Sequence, residues 1–542
     1  MITLYRVQAR FRLRVSENTY WLQPIHGTHY SISHKIIDIG FFIWYNVFIC
    51  IYVHRNTIKR KKLGAVIFVM PTLRMPRFLA KIYSCENMLG DGRKVGEIPS
   101  TREIYNHTLK MALPATTETV LVGMMGMVDT IMVGTISTAA IAAVGITNQP
   151  RFIVLAIILA LNVGVTAIVA RRKGEGNLAS AQSSLKQAIL LSFIFSFVVG
   201  ALAYIFAYPL LTFAGATSDI IDDSVMFFRI TILSVPFASL GMTIIAAQRG
   251  AGKTRISMWT NIAANVVKIV FNFLLIEGRL GFPRLGIRGA AIATIIGFFV
   301  AFVMSVYSVS GKRSGLNIFS LQGWKFDKQT LGGFVKVGSG ALVEQLFMRF
   351  GFFMFVRVVA GLGTMALVIH QICMNIVMLS FCFAEGLGIA SSALAGQNLG
   401  AKRPDMAIIY GKVCQRIALT LSTIMSFVFV FGRRGLIRMF TSEEEIITVG
   451  SYLILILAVI TFAQMSQFVL SGALRGAGDA KYVAFVALVT IGIVRPGLAW
   501  LFAFPMGMGL IGVWFAFLAD QVLRLILNYT RFASSRWVHI RL

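Results

Sequence analysis

Five acidic residues interrupt long apolar runs of this chain, at positions where a charge is unfavourable. An ionisable group is costly to place in the hydrocarbon of a bilayer, so it marks a functional position by default. A carboxyl group in a low-dielectric cleft can take up and release a proton near neutral pH. The pattern therefore predicts proton chemistry within apolar helices. The five residues are Glu118, Asp129, Glu344, Glu385 and Asp520.

Spacing singles out two carboxylates of the first apolar run. Glu118 lies eleven residues, about three helical turns, before Asp129, so both project from nearly the same helix face. Arg349 follows Glu344 by five residues and is expected to neutralise it. We take these four residues as functional candidates. The alternatives are that Asp129 is a solvated residue at the outer end of its helix, and that the two glutamates make structural hydrogen bonds where helices meet.

Composition places these residues in a membrane protein. Of 542 residues, 57% are hydrophobic and 13% are charged, whereas soluble domains have roughly 25% charged residues. The mean hydropathy is +0.76. The net charge of +29 would suit a nucleic-acid-binding protein. After Lys110, however, basic residues lie mainly in short connections between apolar runs, which is typical of orientation signals in membrane proteins.

The apolar runs predict an all-α polytopic membrane protein with twelve transmembrane helices. Loops after even-numbered spans contain fourteen Lys and Arg residues, and loops after odd-numbered spans contain at most five. The positive-inside rule then places the even-numbered loops and both termini in the cytoplasm. The predicted spans are 109–133, 139–170, 185–211, 224–248, 256–277, 286–309, 332–357, 363–395, 410–432, 446–473, 482–504 and 508–530.

An internal repeat relates the two halves of the chain. A shift of 226 residues aligns them without a gap from Lys110 to Arg255, pairing Glu118 with Glu344 and the RGAG loop at Arg249 with the RGAG loop at Arg475. Each half has six spans, so both begin on the same side of the membrane. We therefore expect two parallel six-helix bundles, related by a pseudo-two-fold axis along the membrane normal, around a central cleft.

The first part of the chain differs from the rest. Residues 1–87 contain 13 Lys and Arg residues against 3 Asp and Glu residues. They are either an additional anchoring or targeting segment or translated upstream sequence before a start at Met88, and composition favours the second explanation. The predicted organisation is an N-terminal extension at 1–87, an N-terminal six-helix bundle at 88–315, a cytoplasmic linker at 316–331, and a C-terminal six-helix bundle with its tail at 332–542.

Several segments resemble the multidrug and toxic compound extrusion (MATE) transporters of the bacterial type. PATTETVLVGMMGMVDTIMVG at 114–134 is similar to the first helix of that family, and ALVEQLF at 341–347 to its glutamate-bearing seventh helix. The resemblance extends from Lys110 to about Phe532. Its other elements are the two RGAG loops, NVVKIVFNFLLIEG at 265–278, GIRGAAIAT at 286–294 and AGQNLGAKR at 395–403.

This resemblance implies export of amphipathic, often cationic organic compounds in antiport with Na⁺ or H⁺. It also implies that Asp129 binds the coupling cation and that Glu344 is the glutamate of the seventh helix. Thr294 matches a polar position of the sixth helix, although a single Thr is equally consistent with helix packing. No cofactor is implied besides the coupling ion, and the chain has no Walker-type GxxxxGK[ST] motif.

The fifth span departs from the family pattern. In the family this helix commonly carries Asn and then Asp or Asn four residues later, whereas Lys268 and Asn272 stand here. Residues four apart share a helix face, so Lys268 is expected to pair with Asp129 where a cation would sit. This pairing argues against a Na⁺ site near Asp129 and favours protons as the coupling ion. The alternative is that Lys268 extends to an interface.

The sequence thus predicts a secondary active multidrug exporter of the plasma membrane that works by alternating access. We expect a monomer with small-molecule organic substrates, no nucleic-acid partner and no enzymatic activity. The alternative is a flippase or exporter of a lipid-linked oligosaccharide with a related two-bundle architecture. Such a protein would need several basic residues in the cleft, and only Lys268 and Arg349 qualify. Paired His/Asp motifs of a membrane enzyme and filter motifs of a channel are missing.

Overall fold

The computed structural model describes residues 83–85, 88–89, 94–134, 136–218, 220–311, 316–319 and 323–540. The chain divides into two compact units, Met1–Lys81 and Ile82–Leu542. The first unit, and with it most of the predicted N-terminal extension, lies outside the described residues. Within the described part of the second unit all regular elements are helices, which confirms the all-α prediction.

Eight α-helices form the first half of this unit. Helices recur because each apolar run must satisfy its backbone hydrogen bonds internally when no water is available. A 3₁₀ turn, Arg279–Gly281, separates the last two. The helices are α1 Thr101–Gly134, α2 Thr138–Gly174, α3 Leu178–Ile205, α4 Ala207–Phe213, α5 Ile221–Ile232, α6 Val235–Gly250, α7 Thr254–Glu277 and α8 Ile287–Ser310.

Seven α-helices form the second half. A π-helix, Leu488–Val494, joins α13 to α14, and a 3₁₀ turn, Arg536–His539, follows α15. The helices are α9 Lys328–Ala360, α10 Thr364–Gly400, α11 Pro404–Arg438, α12 Glu444–Ala477, α13 Ala480–Ala487, α14 Arg495–Ala503 and α15 Gly509–Ala533.

The described helices account for the predicted spans. Ten are long and apolar enough to cross a bilayer, or eleven if α5 and α6, which meet at 47°, count as one span. Pro236 lies in the first turn of α6, where its missing N–H disrupts a continuous helix. The remaining predicted span, 332–357, lies within α9, which has 33 residues but carries several charged side chains along its length.

The two halves meet through glycines at the ends of repeat-related helices. The last turns of α2 and α10 cross so closely that a Cβ at Gly174 would overlap the carbonyl oxygen of Gln397, and one at Gly400 would overlap that of Arg171. Gly174 and Gly400 are equivalent in the repeat, so the contact is reciprocal. The Gln397 side chain also donates a hydrogen bond to the carbonyl of Gly250 at 2.7 Å. This end of the molecule is the predicted cytoplasmic end.

Residues just before α1 pack on the second half. Cys85 is fully buried, and the Tyr83 hydroxyl lies 3.1 Å from the Thr420 hydroxyl on α11. Lys412 donates a hydrogen bond to the carbonyl of Met88 at 2.7 Å. The described residues around Met88 are therefore part of the helical unit.

Candidate cation and substrate site

An ion pair joins the C-terminal halves of α1 and α7. Lys268 Nζ is paired with Asp129 Oδ2, and the amide nitrogen of Asn272 donates a hydrogen bond to Asp129 Oδ1 at 2.8 Å. Lys268 and Asn272 are four residues apart on α7, so they share the face that meets α1. The predicted pairing of Lys268 with Asp129 is present, and both carboxylate oxygens face N–H donors.

The side chains of this ion pair are partly exposed, and a buried amide oxygen lies beside them. The side chains of Lys268 and Asp129 are 21% and 20% exposed. Asn272 is 1% exposed, and its Oδ1 has no hydrogen-bond partner among the described residues. A cavity of about 130 Å³ adjoins Asn272. Arg151 of α2 also interacts electrostatically with Asp129, so two cationic side chains act on one carboxylate.

Thr294 does not reach this pair. Its hydroxyl donates a hydrogen bond to the carbonyl of Ala290 at 3.0 Å, within its own helix α8. The neighbouring turn of α8 instead accommodates the lysine, because a Cβ at Gly297 would lie only 2.9 Å from Lys268 Cβ. The contacts of Thr294 are thus those of helix packing.

A second buried carboxylate on α1 has a more complete set of partners. Glu118 is 1% exposed and forms an ion pair with Arg249 at the end of α6. The Ser257 hydroxyl lies 2.8 and 2.7 Å from its two carboxylate oxygens, and the amide of Asn261 donates another hydrogen bond. Four polar contacts from two helices therefore hold Glu118.

The two carboxylates of α1 occupy equivalent positions along α7. Glu118 contacts Ser257 and Asn261, and Asp129 contacts Lys268 and Asn272, each set eleven residues further along its helix. Eleven residues are about three turns of a helix, so two parallel helices in contact return to the same register. The predicted common face of Glu118 and Asp129 is thus the face that packs on α7.

The second half repeats the inner ion pair. Glu344 of α9 is 7% exposed, and its Oε1 accepts a hydrogen bond from Arg475 of α12 at 2.9 Å. Glu344 and Arg475 are the repeat equivalents of Glu118 and Arg249. Both RGAG loops therefore begin with an arginine that neutralises a carboxylate of the first helix of its own half.

The MatE family model matches this chain twice, at residues 114–274 and 341–501, which together are more than half of its length. The chain belongs to the MATE family. The two matches have equal length and correspond to the repeated halves, which confirms the internal repeat. This MATE protein is therefore a membrane transporter built of two related helical bundles, as predicted.

Several relatives are similar to this MATE protein over most of the chain. "Probable multidrug resistance protein NorM" of Thermotoga maritima is 29% identical, with 81% of this chain and 94% of the relative covered. "Uncharacterized transporter YisQ" of Bacillus subtilis is 28% identical, with 76% and 91% covered. "Multidrug resistance protein PmpM" of Pseudomonas aeruginosa is 28% identical, with 70% and 80% covered.

Solved MATE structures share the fold. An outward-facing multidrug resistance MATE family transporter of the MOP superfamily superposes with a TM-score of 0.75 at 18% identity, covering 80% of this chain and 97% of that one. A variant of the Vibrio cholerae MATE transporter VcmN gives the same values. These proteins have twelve helices in two repeated bundles, so the predicted fold class is confirmed.

One predicted contact of this MATE protein is wrong. Arg349 does not neutralise Glu344; its guanidinium lies over the ring of Phe152 on α2, 4.2 Å from the ring centroid. Five residues advance a helix by about 500°, so Arg349 projects roughly 140° away from Glu344. Arg349 therefore joins the two halves through a cation–π contact, and Arg475 supplies the positive charge to Glu344.

The arginines of the RGAG loops were absent from the predicted site. A signal for them was available, because Arg249 and Arg475 are equivalent by the same shift that relates Glu118 and Glu344. Because the acids are equivalent in the repeat and the arginines are too, the same acid–arginine pair is expected in each half. Ser257 and Asn261 had no comparable signal, since a polar residue on a membrane helix has many possible partners.

Asp520 belongs to a separate buried cluster in the second half. It is fully buried between Arg495, at the start of α14, and Arg524 on its own helix. The guanidinium of Arg495 also lies over the rings of Phe352, Phe355 and Phe517. The predicted i, i+4 pair of Asp520 with Arg524 is present, and the cluster fastens α14 to α15.

Proposed function

We propose that this MATE protein is a secondary active exporter of amphipathic organic compounds, driven by protons moving in exchange across the plasma membrane. The observation that carries the proposal is the ion pair of Lys268 with Asp129. Relatives that cover most of the chain are named multidrug resistance proteins, which supports organic substrates over a lipid-linked oligosaccharide.

The donor set around Asp129 favours a proton over Na⁺. A hard cation needs several oxygen ligands, but Oδ2 of Asp129 faces an ammonium and Oδ1 faces an amide N–H. The hydroxyl of Thr294 is committed to the backbone of α8. A fixed ammonium therefore occupies the place that a bound Na⁺ would take. A proton needs no such shell and requires only one free lone pair.

In the proposed cycle the ion pair between Asp129 and Lys268 holds α1 and α7 together. A proton that binds to Asp129 from the outer side removes the carboxylate charge and breaks the attraction to Lys268. The two helices are then free to shift, and the bundles rock between outward-open and inward-open states. Release of the proton on the cytoplasmic side restores the ion pair. The distribution of basic residues between the loops supports cytoplasmic termini. We also infer that the protein is a monomer, because each half completes its own ion pairs.

Transport in liposomes tests this proposal. The full chain is reconstituted, and ethidium movement is followed under an imposed pH gradient and, separately, under a Na⁺ gradient. We expect movement with the pH gradient and its loss in Asp129→Asn. Glu444→Gln is the matched control, because it removes one carboxylate from an exposed ion pair with Arg438. Movement driven only by Na⁺ would refute proton coupling, and undiminished transport by Asp129→Asn would refute the role of that residue.

A further inference from the structure

Glu385 of α10 has no hydrogen-bond or ion-pair partner among the described residues, although it lies among charged groups from both halves. Part of its surface is open to water, but the side chain lies deep within the protein, within electrostatic reach of Glu118 on α1, Arg249 on α6 and Arg475 on α12. No hydrogen bond or ion pair of Glu385 is found among the residues that the structure describes. A residue that faces helices of both halves cannot point to lipid, so its exposed surface belongs to the space between the bundles.

The neighbouring arginines are already neutralised. Arg249 is held by Glu118 and Arg475 by Glu344, and their side chains remain only 24% and 19% exposed. Three carboxylates therefore share this region with two guanidinium groups. When Glu385 is ionised, it adds a negative charge that neither of these two arginines compensates. An unpaired charge away from bulk water is costly, and a bound cation would relieve that cost.

An aromatic pair lies one helical turn from this carboxylate. Phe381 precedes Glu385 by four residues and so shares its helix face. Its ring packs edge to face on that of Phe468 of α12, with centroids 4.8 Å apart, and both side chains are only partly buried. Aromatic faces attract organic cations and also receive apolar groups. A carboxylate and two rings on adjoining helices suit a molecule that is both cationic and apolar.

The acidic residue of this arrangement is not repeated in the first half. Leu159 stands at the equivalent position of α2, where no acid is found. Close packing fixes the location of Glu385, because a Cβ on the adjacent Gly386 would overlap the backbone of Thr116 on α1. The Thr119 hydroxyl also donates a hydrogen bond to the carbonyl of Cys382 at 2.7 Å. Glu385 is therefore a single, positioned charge on the wall between the halves.

We propose that Glu385 binds the cationic group of an amphipathic substrate between the two bundles, while Phe381 and Phe468 receive its apolar part. This inference rests on the proposed function and names the residue that would select a positively charged substrate, Glu385. It predicts one such molecule per chain, because the equivalent position of the first half is Leu159 and carries no carboxylate.

Equilibrium binding to the detergent-solubilised full chain tests the inference. The probe is radiolabelled tetraphenylphosphonium, and tetraphenylborate is an anion of the same shape. We expect Glu385→Gln to weaken tetraphenylphosphonium binding at least about tenfold, the loss of one charge-assisted contact, without weakening tetraphenylborate binding. Glu385→Asp should stay within about threefold of the wild type. Glu445→Gln is the control, because that carboxylate is exposed at the start of α12.

The outcomes separate this inference from the proposed function. Wild-type binding that Glu385→Gln leaves unchanged would overturn the inference and leave the exporter intact. Equal losses for the cation and the anion would also overturn it, because they would indicate a distorted cleft. A wild type that neither binds nor transports organic cations would refute the proposed function instead. Phe381→Leu should weaken binding in the same direction, since it removes the ring next to the carboxylate.

Discussion

The two inner ion pairs allow a sharp test, because they are repeat equivalents with different surroundings. Glu118 keeps its contacts with Ser257 and Asn261 when Arg249 is removed. Glu344 has Arg475 as its partner, and no other polar contact of its carboxylate is found among the described residues. We therefore expect Arg475→Met to destabilise the protein more than Arg249→Met does.

The magnitudes follow from burial. Removing one member of a buried ion pair costs about 3–5 kcal/mol, and the side chain of Glu344 is only 10% exposed. We expect about 3 kcal/mol for Arg475→Met. For Arg249→Met we expect about half that loss. The hydrogen bonds from Ser257 and Asn261 to Glu118 remain in place, and each hydrogen bond to a charged group contributes about 1.5–3 kcal/mol. At about 2 °C per kcal/mol for large domains, the midpoints should fall by about 6 °C and about 3 °C.

Thermal unfolding in detergent with a thiol-reactive dye measures these shifts, since the four described cysteines are buried and become reactive on unfolding. Arg438→Met is the control: it breaks an exposed pair with Glu444, which should cost no more than about 1 kcal/mol. The double variant Glu344→Gln/Arg475→Met should recover part of the loss, because it leaves no charge unpaired. Equal shifts for the two arginine variants, or a larger one for Arg249→Met, would refute the reasoning.

Two further predictions concern the coupling site and the contact between the halves. Lys268→Asn removes the fixed ammonium and adds an oxygen ligand beside Asp129, so a Na⁺ gradient should drive ethidium movement several-fold faster than in the wild type. Lys268→Met, which adds no oxygen, should not gain this response, and an equal gain in both variants would contradict the explanation. Gly400→Ala should lower the unfolding midpoint and push apart the ends of α2 and α10, as measured by spin-label distances. Gly435→Ala, where a Cβ meets nothing within 4 Å, should leave both unchanged.

Much of the architecture is predictable because the bilayer imposes a local rule. Every backbone group in hydrocarbon must be satisfied within its own segment, so an apolar run of sufficient length becomes a helix whatever its neighbours are. The shift of 226 residues then relates the halves without any structural information. The span within α9 departs from the simple pattern, because Lys336, Glu344, Arg349 and Arg357 lower its apolar character.

The site was predictable where the relevant spacing lies within one helix. Glu118 with Asp129, and Lys268 with Asn272, share faces because helical periodicity is a local property. The same argument failed for Arg349, since a nearby residue in sequence was taken as a partner although it projects from another face. Proximity along a helix predicts contact only at three or four residues.

The sequence by itself therefore determined the fold class, the repeat, the membership of the MATE family and the identity of the intramembrane charges. Only the tertiary structure decided their partners. The pairs Glu118 with Arg249 and Glu344 with Arg475 each join residues 131 positions apart, and they depend on how helices rotate and pack against one another. The same packing leaves Glu385, between the halves, without a partner in the part of the chain that the structure describes. Local periodicity fixes which face a charge occupies, whereas long-range packing fixes what that face meets.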